Sequence, residues 1–354
     1  YYITMRPSAY NPELTWEKST TKNLGFDFTF LQNRLTFCAD IFERKVTDIL
    51  IPGGKDYPAL IGDDNLPFEN AGVLKTTGFE LQAKWSDKLS NGFAYSVGVA
   101  LSDDKAEVLS YPSNPTNKIG DGVLYKGYTV GDIWGYETGG ILQESDFDGV
   151  GPNGKPLYHG AYFKGGQPYP GYVWYQDLDH DGVITSGLST VDDPGDKKVI
   201  GNNAPRYRYN ITANFQYKGF DLDLMFQGVG KRDYWLKDVS SYWGGGAGSW
   251  ETYNQSWTPE RTDAKFPMYG SGIGSYAQSG YLLDASYIKL KQVILGYTFP
   301  KALIGKVGLE KLRLNIAAYN LFTLSDVPKY YDSDYLSDAY PPKRTFSVGI
   351  QVGF

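Results

Sequence analysis

The residues with the clearest chemical spacing lie mid-chain, where Asp177, Asp179 and Asp181 alternate with Leu178 and His180 ahead of Gly182, Val183 and Ile184. Carboxylates at relative positions one, three and five, a glycine at six that permits a sharp turn and a backbone carbonyl at seven form the first half of a calcium loop. Hard oxygens at this spacing converge on one cation. The full loop requires Glu at position twelve, where this chain has Leu188, and the flanks YPGYVWYQ and TSGLSTVDDPGD do not read as helices. Asp192 or Asp193 could supply the missing carboxylate by folding back. The expected Ca2+ site is then Asp177, Asp179, Asp181, the Val183 carbonyl and Asp192, and its role would be to stiffen a loop. An Asp-rich turn that satisfies its own amides explains the same residues without a metal.

No other chemistry is spelled out by residue type and spacing. His159 and His180 are the only histidines, and they are not spaced as a metal pair. No phosphate-cradling G-x-x-x-x-G-K-[ST] and no G-x-S-x-G nucleophile pattern occurs, and the carboxylate pairs Asp103-Asp104 and Asp192-Asp193 suit a solvated acidic surface. The residues therefore point to no enzyme. A net charge of −6 argues against nucleic acid as a partner, and a single cysteine, Cys38, excludes an internal disulfide framework. Aromatic side chains are the second resource, because sugars stack on their faces. Trp134, Tyr172, Trp174, Trp243, Trp250 and Trp257 fall in the two longest loops. Tyr172, Trp174, Trp243 and Trp250 are the candidates for contact with a cargo or a covering partner; filling the loops' own core is the competing explanation.

The elements that must carry these loops are strands. An excess of 30 Tyr, 18 Phe and 42 Gly suits pleated strands joined by irregular loops. Leu24, Phe26, Phe28 and Phe30 alternate with polar residues; after a Gln32-Asn33 turn Leu35, Phe37, Ala39 and Ile41 do the same. A second hairpin places Phe79, Leu81, Ala83 and Trp85 before Ser90-Asn91-Gly92 and Phe93, Tyr95, Val97, Val99 and Leu101 after it. The third sets Tyr207 to Tyr217 against Phe220 to Phe226 across Lys218-Gly219. A fourth runs over about 282–299 and 308–323, and RTFSVGIQVGF at 344–354 makes a ninth strand.

These runs extend about ten to sixteen residues, the length a tilted strand needs to cross a bilayer, whereas strands of soluble sandwiches average about five or six. Their polar faces carry Asp27, Asp40, Glu80, Lys84, Arg206, Arg208, Asp221, Asp223 and Arg313, too many charges for a dry core but natural in a wet lumen. Connections alternate strictly. Those near 32–33, 87–91, 218–219 and 300–308 are short, and those near 51–71, 108–204, 237–281 and 324–342 are long, as in outer-membrane barrels with short periplasmic turns and long extracellular loops. Trp85, Tyr217, Phe220 and Phe299 beside the short turns fit an interfacial aromatic girdle or ordinary turn packing. No run has the length of a spanning helix. Nine antiparallel strands cannot close a cylinder with every neighbour antiparallel, so the expectation is an all-β chain that forms part of a larger barrel and pairs at both edges with strands it does not contain. YYITMRPSAYNPELTW lacks a signal-peptide layout, so the chain reads as a mature fragment or a processed piece.

Seven phrases then occur in family order: NPELTWEKSTTKNLGFDFTFLQNRLTF, NAGVLKTTGFEL, VWYQDLDHDGVIT, IGNNAPRYRYN, SYIKLKQVILGYTFP, LRLNIAAYNLFTLSD and YPPKRTFSVGIQVGF. Together they resemble the C-terminal region of SusC/RagA-type TonB-dependent transporters over nearly the whole chain. The resemblance implies nine of an expected 22 barrel strands, with residues 1–354 forming the C-terminal part and the plug domain and N-terminal strands outside this chain. It also implies an outer membrane of the Bacteroidetes type, energy from TonB, a SusD-like surface lipoprotein as lid and a glycan or oligopeptide cargo. The ending resembles the signal read by the barrel-assembly machinery, with Phe354 as its terminal aromatic. A passive porin and a secreted β-rich carbohydrate-binding protein are the alternatives.

Overall fold

A computed structural model describes residues 11–53, 67–235, 253–271, 276–327, 331–336 and 342–354. Nine strands form one antiparallel sheet in chain order: β1 (Lys18–Phe30), β2 (Leu35–Pro52), β3 (Phe68–Lys88), β4 (Ala94–Ser110), β5 (Arg206–Tyr217), β6 (Phe220–Lys231), β7 (Tyr287–Thr298), β8 (Lys311–Ser325) and β9 (Thr345–Gly353). Each is long because period-two alternation runs through most of its length, interrupted at register shifts such as Val46–Ile49 and Leu290–Gln292, and direct cross-strand partners stack like with like: Leu24 opposite Ile41, Ile41 opposite Phe79, Phe28 opposite Phe37. Among the described residues nothing covers the apolar face. Phe346, Val348 and Ile350 on β9 are 68%, 77% and 68% exposed, which suits an apolar medium and not water. Cavities instead line the polar face, among Gln82, Lys84, Asn210, Thr212 and Asn214.

Short connections occupy one end of the sheet. Lys218-Gly219, with φ of 47° and 88°, is the two-residue hairpin turn whose left-handed backbone matches strand twist. The first turn is longer than the two residues expected. Phe30 pairs with Leu35, and Leu31, Gln32 and Asn33 all take positive φ, so residues 31–34 close the hairpin without a glycine. The connection after β7 likewise differs, containing a helical turn at Lys301–Ile304. Aromatic rings gather at this end: Phe93 lies 6.2 Å from both Phe215 and Tyr217, Phe220 lies 4.5 Å from Tyr297, and Trp85 donates its indole N–H to the Tyr95 hydroxyl. At the other end lie the long connections. β1 and β9 run in the same direction, and each pairs along one edge only among the described residues.

Period two breaks once where charge is at stake. Arg206 was expected beside Arg208 on the polar face, yet its guanidinium grips Asp103, donating from Nε to Oδ1 at 2.6 Å, and Asp103 is the direct partner of apolar-face Phe79. Arg208 pairs instead with Asp104 on the polar side. Tyr207, between the two arginines, has φ of 53°, which twists the strand entry and separates the two side chains.

Candidate functional site in the lumenal wall and the outer loops

The polar face is a network of matched charges. Arg313 binds Asp221 with both nitrogens of its fork, in the space left by Gly296, where a Cβ would sit within 2.6 Å of the Asp221 carboxylate. Asn214 donates to Asp223, and Asn23 donates to Asp40 at 2.9 Å. On the same face a cavity of about 540 Å³ is lined by Asp40, Glu80, Arg208, Asn210, Gln227 and Arg232. Such a wall offers donors and acceptors of both signs to a polar solute, with no single charge dominating.

Near the long-loop end the wall holds the connection between β8 and β9. Lys289 is 2% exposed and its ammonium donates to both Asp332 oxygens at 3.2 and 3.1 Å and to Asp334 Oδ2 at 2.7 Å. Tyr287 donates its hydroxyl to the other Asp334 oxygen, and Arg232 donates to the Asp334 carbonyl at 3.3 Å. Burial opposes ionisation of Asp334, but the Lys289 ammonium, the Tyr287 hydroxyl and the nearby Lys291 outweigh it and hold the carboxyl below the usual range.

The aspartate loop sits in the longest connection. Asp177 Oδ2 accepts the Gly182 N–H at 2.9 Å, Asp179 Oδ1 accepts that of Asp181 at 3.1 Å, and Asp181 Oδ1 accepts that of Val183 at 2.8 Å; His180 and Gly182 take φ of 61° and 84°. The segment beyond it does fold back, but it delivers Asp196 where Asp192 was expected. The Asp196 N–H donates to the Thr185 carbonyl, while its oxygens accept the Leu178 and Thr185 N–H groups at 2.8 and 2.7 Å. One carboxylate oxygen from each of Asp177, Asp179 and Asp196 then lies within 4.8 Å of the others. Asp192 and Asp193 are exposed, and Val183 enters a short parallel pairing with Tyr162.

Electrostatics in this cluster is unbalanced. Asp196 is fully buried, and Asp177 Oδ1 is buried without a hydrogen-bond partner. At Asp177 desolvation favours the neutral acid, but amide donation from Gly182, His180 and Asp181 and a bond from Asp179 hold the carboxyl below its usual range. At Asp179 the Asp181 amide favours the anion, yet desolvation and the charges of Asp181 and Asp196 prevail and push the carboxyl up. Carboxylates that share a site in this way resist ionising together, a tension a bound cation relieves.

A family model described as TonB dependent receptor-like, beta-barrel matches residues 1–321 of the chain. The chain belongs to this family. Two curated relatives are each 27% identical to it: TonB-dependent receptor P3 of Formosa agariphila, over 97% of this chain and 35% of that protein, and TonB-dependent receptor SusC of Bacteroides thetaiotaomicron, over 100% and 34%. The chain thus spans about a third of the length of these relatives. Among solved structures, the RagAB peptide transporter superposes with a TM-score of 0.73 over 98% of this chain and 36% of that one, at 20% identity, a likeness of fold.

In this TonB-dependent receptor barrel the loop aromatics mostly hold the loops together. Trp134 donates its indole N–H to the Tyr125 hydroxyl, and Trp257, 4% exposed, donates to Gln143. Trp174 lies flat against Gly139, and Tyr172 meets Tyr169 edge-on at 5.5 Å; both remain partly exposed. Trp243 and Trp250 lie outside the described residues. Phe354 follows the last strand residue and is exposed. Tyr136, Val173, Tyr175, Ile184, Trp235 and Tyr281 form the loop core, and burial, with Tyr276 and Asp196 nearby, pushes the Tyr136 hydroxyl up to about 12. Two residues of the site carry no local signal. Asp196 lies beyond the calcium-loop spacing, and Lys289 reads as one more polar residue in an alternating strand.

Proposed function

We propose that the protein containing this chain imports a nutrient across the outer membrane of a Gram-negative bacterium, driven by TonB. A SusD-like surface lipoprotein would act as the lid that delivers a glycan or oligopeptide. The observation that carries this reading is the pairing of an apolar outer face, uncovered among the described residues, with a predominantly polar inner wall, topped at one end by large packed loops, in a chain of the receptor family. SusC and RagAB among the similar proteins support a partnered importer, and the RagAB peptide transporter supports a peptide as one cargo class. Family membership leaves the passive-porin and secreted-protein alternatives without support. Uptake of fluorescent oligopeptides and oligosaccharides by cells with and without TonB tests the proposal. Cargo entry that persists undiminished without TonB would reject it.

The aspartate loop is proposed to hold Ca2+ through Asp177, Asp179 and Asp196. Three hard carboxylates, one with an orphaned buried oxygen, suit that cation. Bound there, it would supply charge neutralisation and a crosslink between residues 177–185 and the strand at Lys197–Asn202 that leads into β5. Calorimetric titration of the intact protein should show binding that Asp179→Ala abolishes; no heat of binding in the wild type ends the idea.

A further inference from the structure

One cross-strand row on the polar face runs along the 540 Å³ cavity: Asp40 on β2, Glu80 on β3, Ser102 on β4, Arg208 on β5, Val229 on β6 and Tyr287 on β7, each the direct partner of the next. Five steps at about 4.8 Å make the row about 24 Å long. Gln82, Asn210 and Gln227 stand one row nearer the short turns and also line the cavity. Their carboxamides offer donors and acceptors between its two ends.

Those ends carry opposite charges that the chain leaves uncompensated. Asp40 and Glu80 are direct partners, an unfavourable arrangement of like charges. Asn23 donates to Asp40, but among the described residues no cation lies within 4 Å of either carboxylate. Their neighbours on the same face are Cys38 and Gln82 in the row below and Phe42 and Gly78 in the row above, and Arg208, two strands from Glu80, is paired with Asp104. At the other end Arg232, one residue past β6, is half-buried. It donates to the carbonyls of Asn203 at 3.0 Å and Asp334 at 3.3 Å, and among the described residues no carboxylate lies within 4 Å of its guanidinium. The nearby Asp334 carboxylate is held by Lys289 and Tyr287. Burial therefore outweighs Tyr287 and Asp334 and lowers the guanidinium's hold on its proton, the mark of a cation short of a counter-ion.

We propose that this cavity binds an extended oligopeptide, its C-terminal carboxylate on Arg232 and its N-terminal ammonium between Asp40 and Glu80. The inference rests on the import reading above and names the cargo class for this stretch of wall. An ammonium relieves the repulsion between the facing carboxylates, and a carboxylate matches the fork of a guanidinium. At about 3.4 Å per residue, a chain of about seven residues spans the row. A neutral oligosaccharide compensates neither end, and a polyanionic one meets Asp40 and Glu80 as like charges.

The full-length protein in mild detergent, with any protein that co-purifies, is to be titrated calorimetrically with a peptide of about seven Gly, Ser and Ala residues. The peptide is used with free termini, with its C-terminus amidated and with its N-terminus acetylated. Each blocked terminus should weaken binding to the wild type about tenfold. Arg232→Gln should bind the free and amidated peptides alike while still rejecting the acetylated one, and Arg232→Lys should keep part of the preference for a free carboxylate. Asp40→Asn with Glu80→Gln should show the converse, indifference to acetylation alone. A variant that merely misplaces the Asp334 segment weakens all three peptides equally, so equal weakening in Arg232→Gln, with its preference for the free carboxylate intact, overturns the proposal. So do wild-type binding that ignores either blocked terminus, a neutral oligosaccharide of seven sugars bound as tightly as the free peptide, and no binding of any peptide. These results leave TonB-driven import standing, because uptake in cells with and without TonB is read separately.

Discussion

Replacing Lys289 by Met tests how the connection between β8 and β9 is held against the wall. The side chain keeps its length and loses its charge, leaving Asp332 and Asp334 facing each other without the ammonium that binds both. Removing one partner of a buried ion pair costs roughly 3–5 kcal/mol. Here Lys291 lies 3.5 Å from Asp334, and the aspartates keep 17% and 18% side-chain exposure, so water and a second cation offset part of the loss. A cost of about 2–3 kcal/mol remains, which raises the local opening constant by about 30- to 150-fold. Hydrogen exchange in peptides covering 331–336 of the full-length protein should accelerate accordingly, while peptides around Val173–Tyr175 stay protected. Adding Asp332→Asn and Asp334→Asn to Lys289→Met should recover much of the protection. The pH response has a fixed sign: Asp334 is depressed in the folded state, so its stabilisation is complete above the ordinary carboxylate value of about 3.9 and is lost as pH falls through the depressed value. Unchanged exchange at 331–336 in Lys289→Met would refute the reasoning.

Phe28→Arg, on the apolar face, should cost about 2–4 kcal/mol if it reaches the bilayer midplane and lower the yield of folded protein in the outer membrane, whereas Thr36→Arg, on the polar face, should not; equal heat-modifiable band intensities would count against the face assignment. Asp196→Ala should abolish Ca2+ binding to the aspartate loop while Asp192→Ala leaves it intact, as read by calorimetry. Because Asp179 is pushed up, Ca2+ affinity should fall as pH drops through that raised carboxyl value, a trend absent if the loop merely satisfies its own amides. Gly219→Val should slow folding and destabilise the β5–β6 hairpin by about 1–2 kcal/mol, since a side chain at φ of 88° is strained; refolding kinetics in detergent would show it.

The wall was legible because its rule is local. A strand turns its side chains over at every residue, so Phe26 and Phe28, or Leu222 and Leu224, declare a shared face without any knowledge of their partners. The same rule failed where one residue changed backbone region: Tyr207 at positive φ carried Arg206 away from the face its parity predicts. Nor could spacing identify Asp196. Its place beside Asp177 and Asp179 depends on Gly187 and Gly195, both at positive φ, closing the turn that returns the chain to Thr185, and on the buried amides of Leu178 and Thr185 that hold the carboxylate. A motif read outward from its first aspartate stops short of that return. Lys289 was hidden for a similar reason, because its partners lie in a different connection, separated in sequence by 43 and 45 residues.

The outer loops are joined to the wall and to each other by backbone as well as by charge, which sets where they can move. Where β4 runs past the end of β5, its exposed edge is taken by the following loop: Tyr128 accepts the Val108 N–H at 2.9 Å and Ala106 accepts that of Val130 at 2.9 Å. The same loop is tied to the connection after β6, since Tyr136 donates its N–H to Ala277 and Met268 donates to Gly171, and buried Gln278 donates to the Tyr175 hydroxyl. Breaking such a contact exposes unpaired amides in a core of aromatic rings, at about 1–3 kcal/mol each. Several such contacts act together, so the described parts of the two longest loops move as one body if they move at all. The connection after β8 is different, because side-chain contacts at Lys289, Tyr287 and Arg232 pin it to the wall.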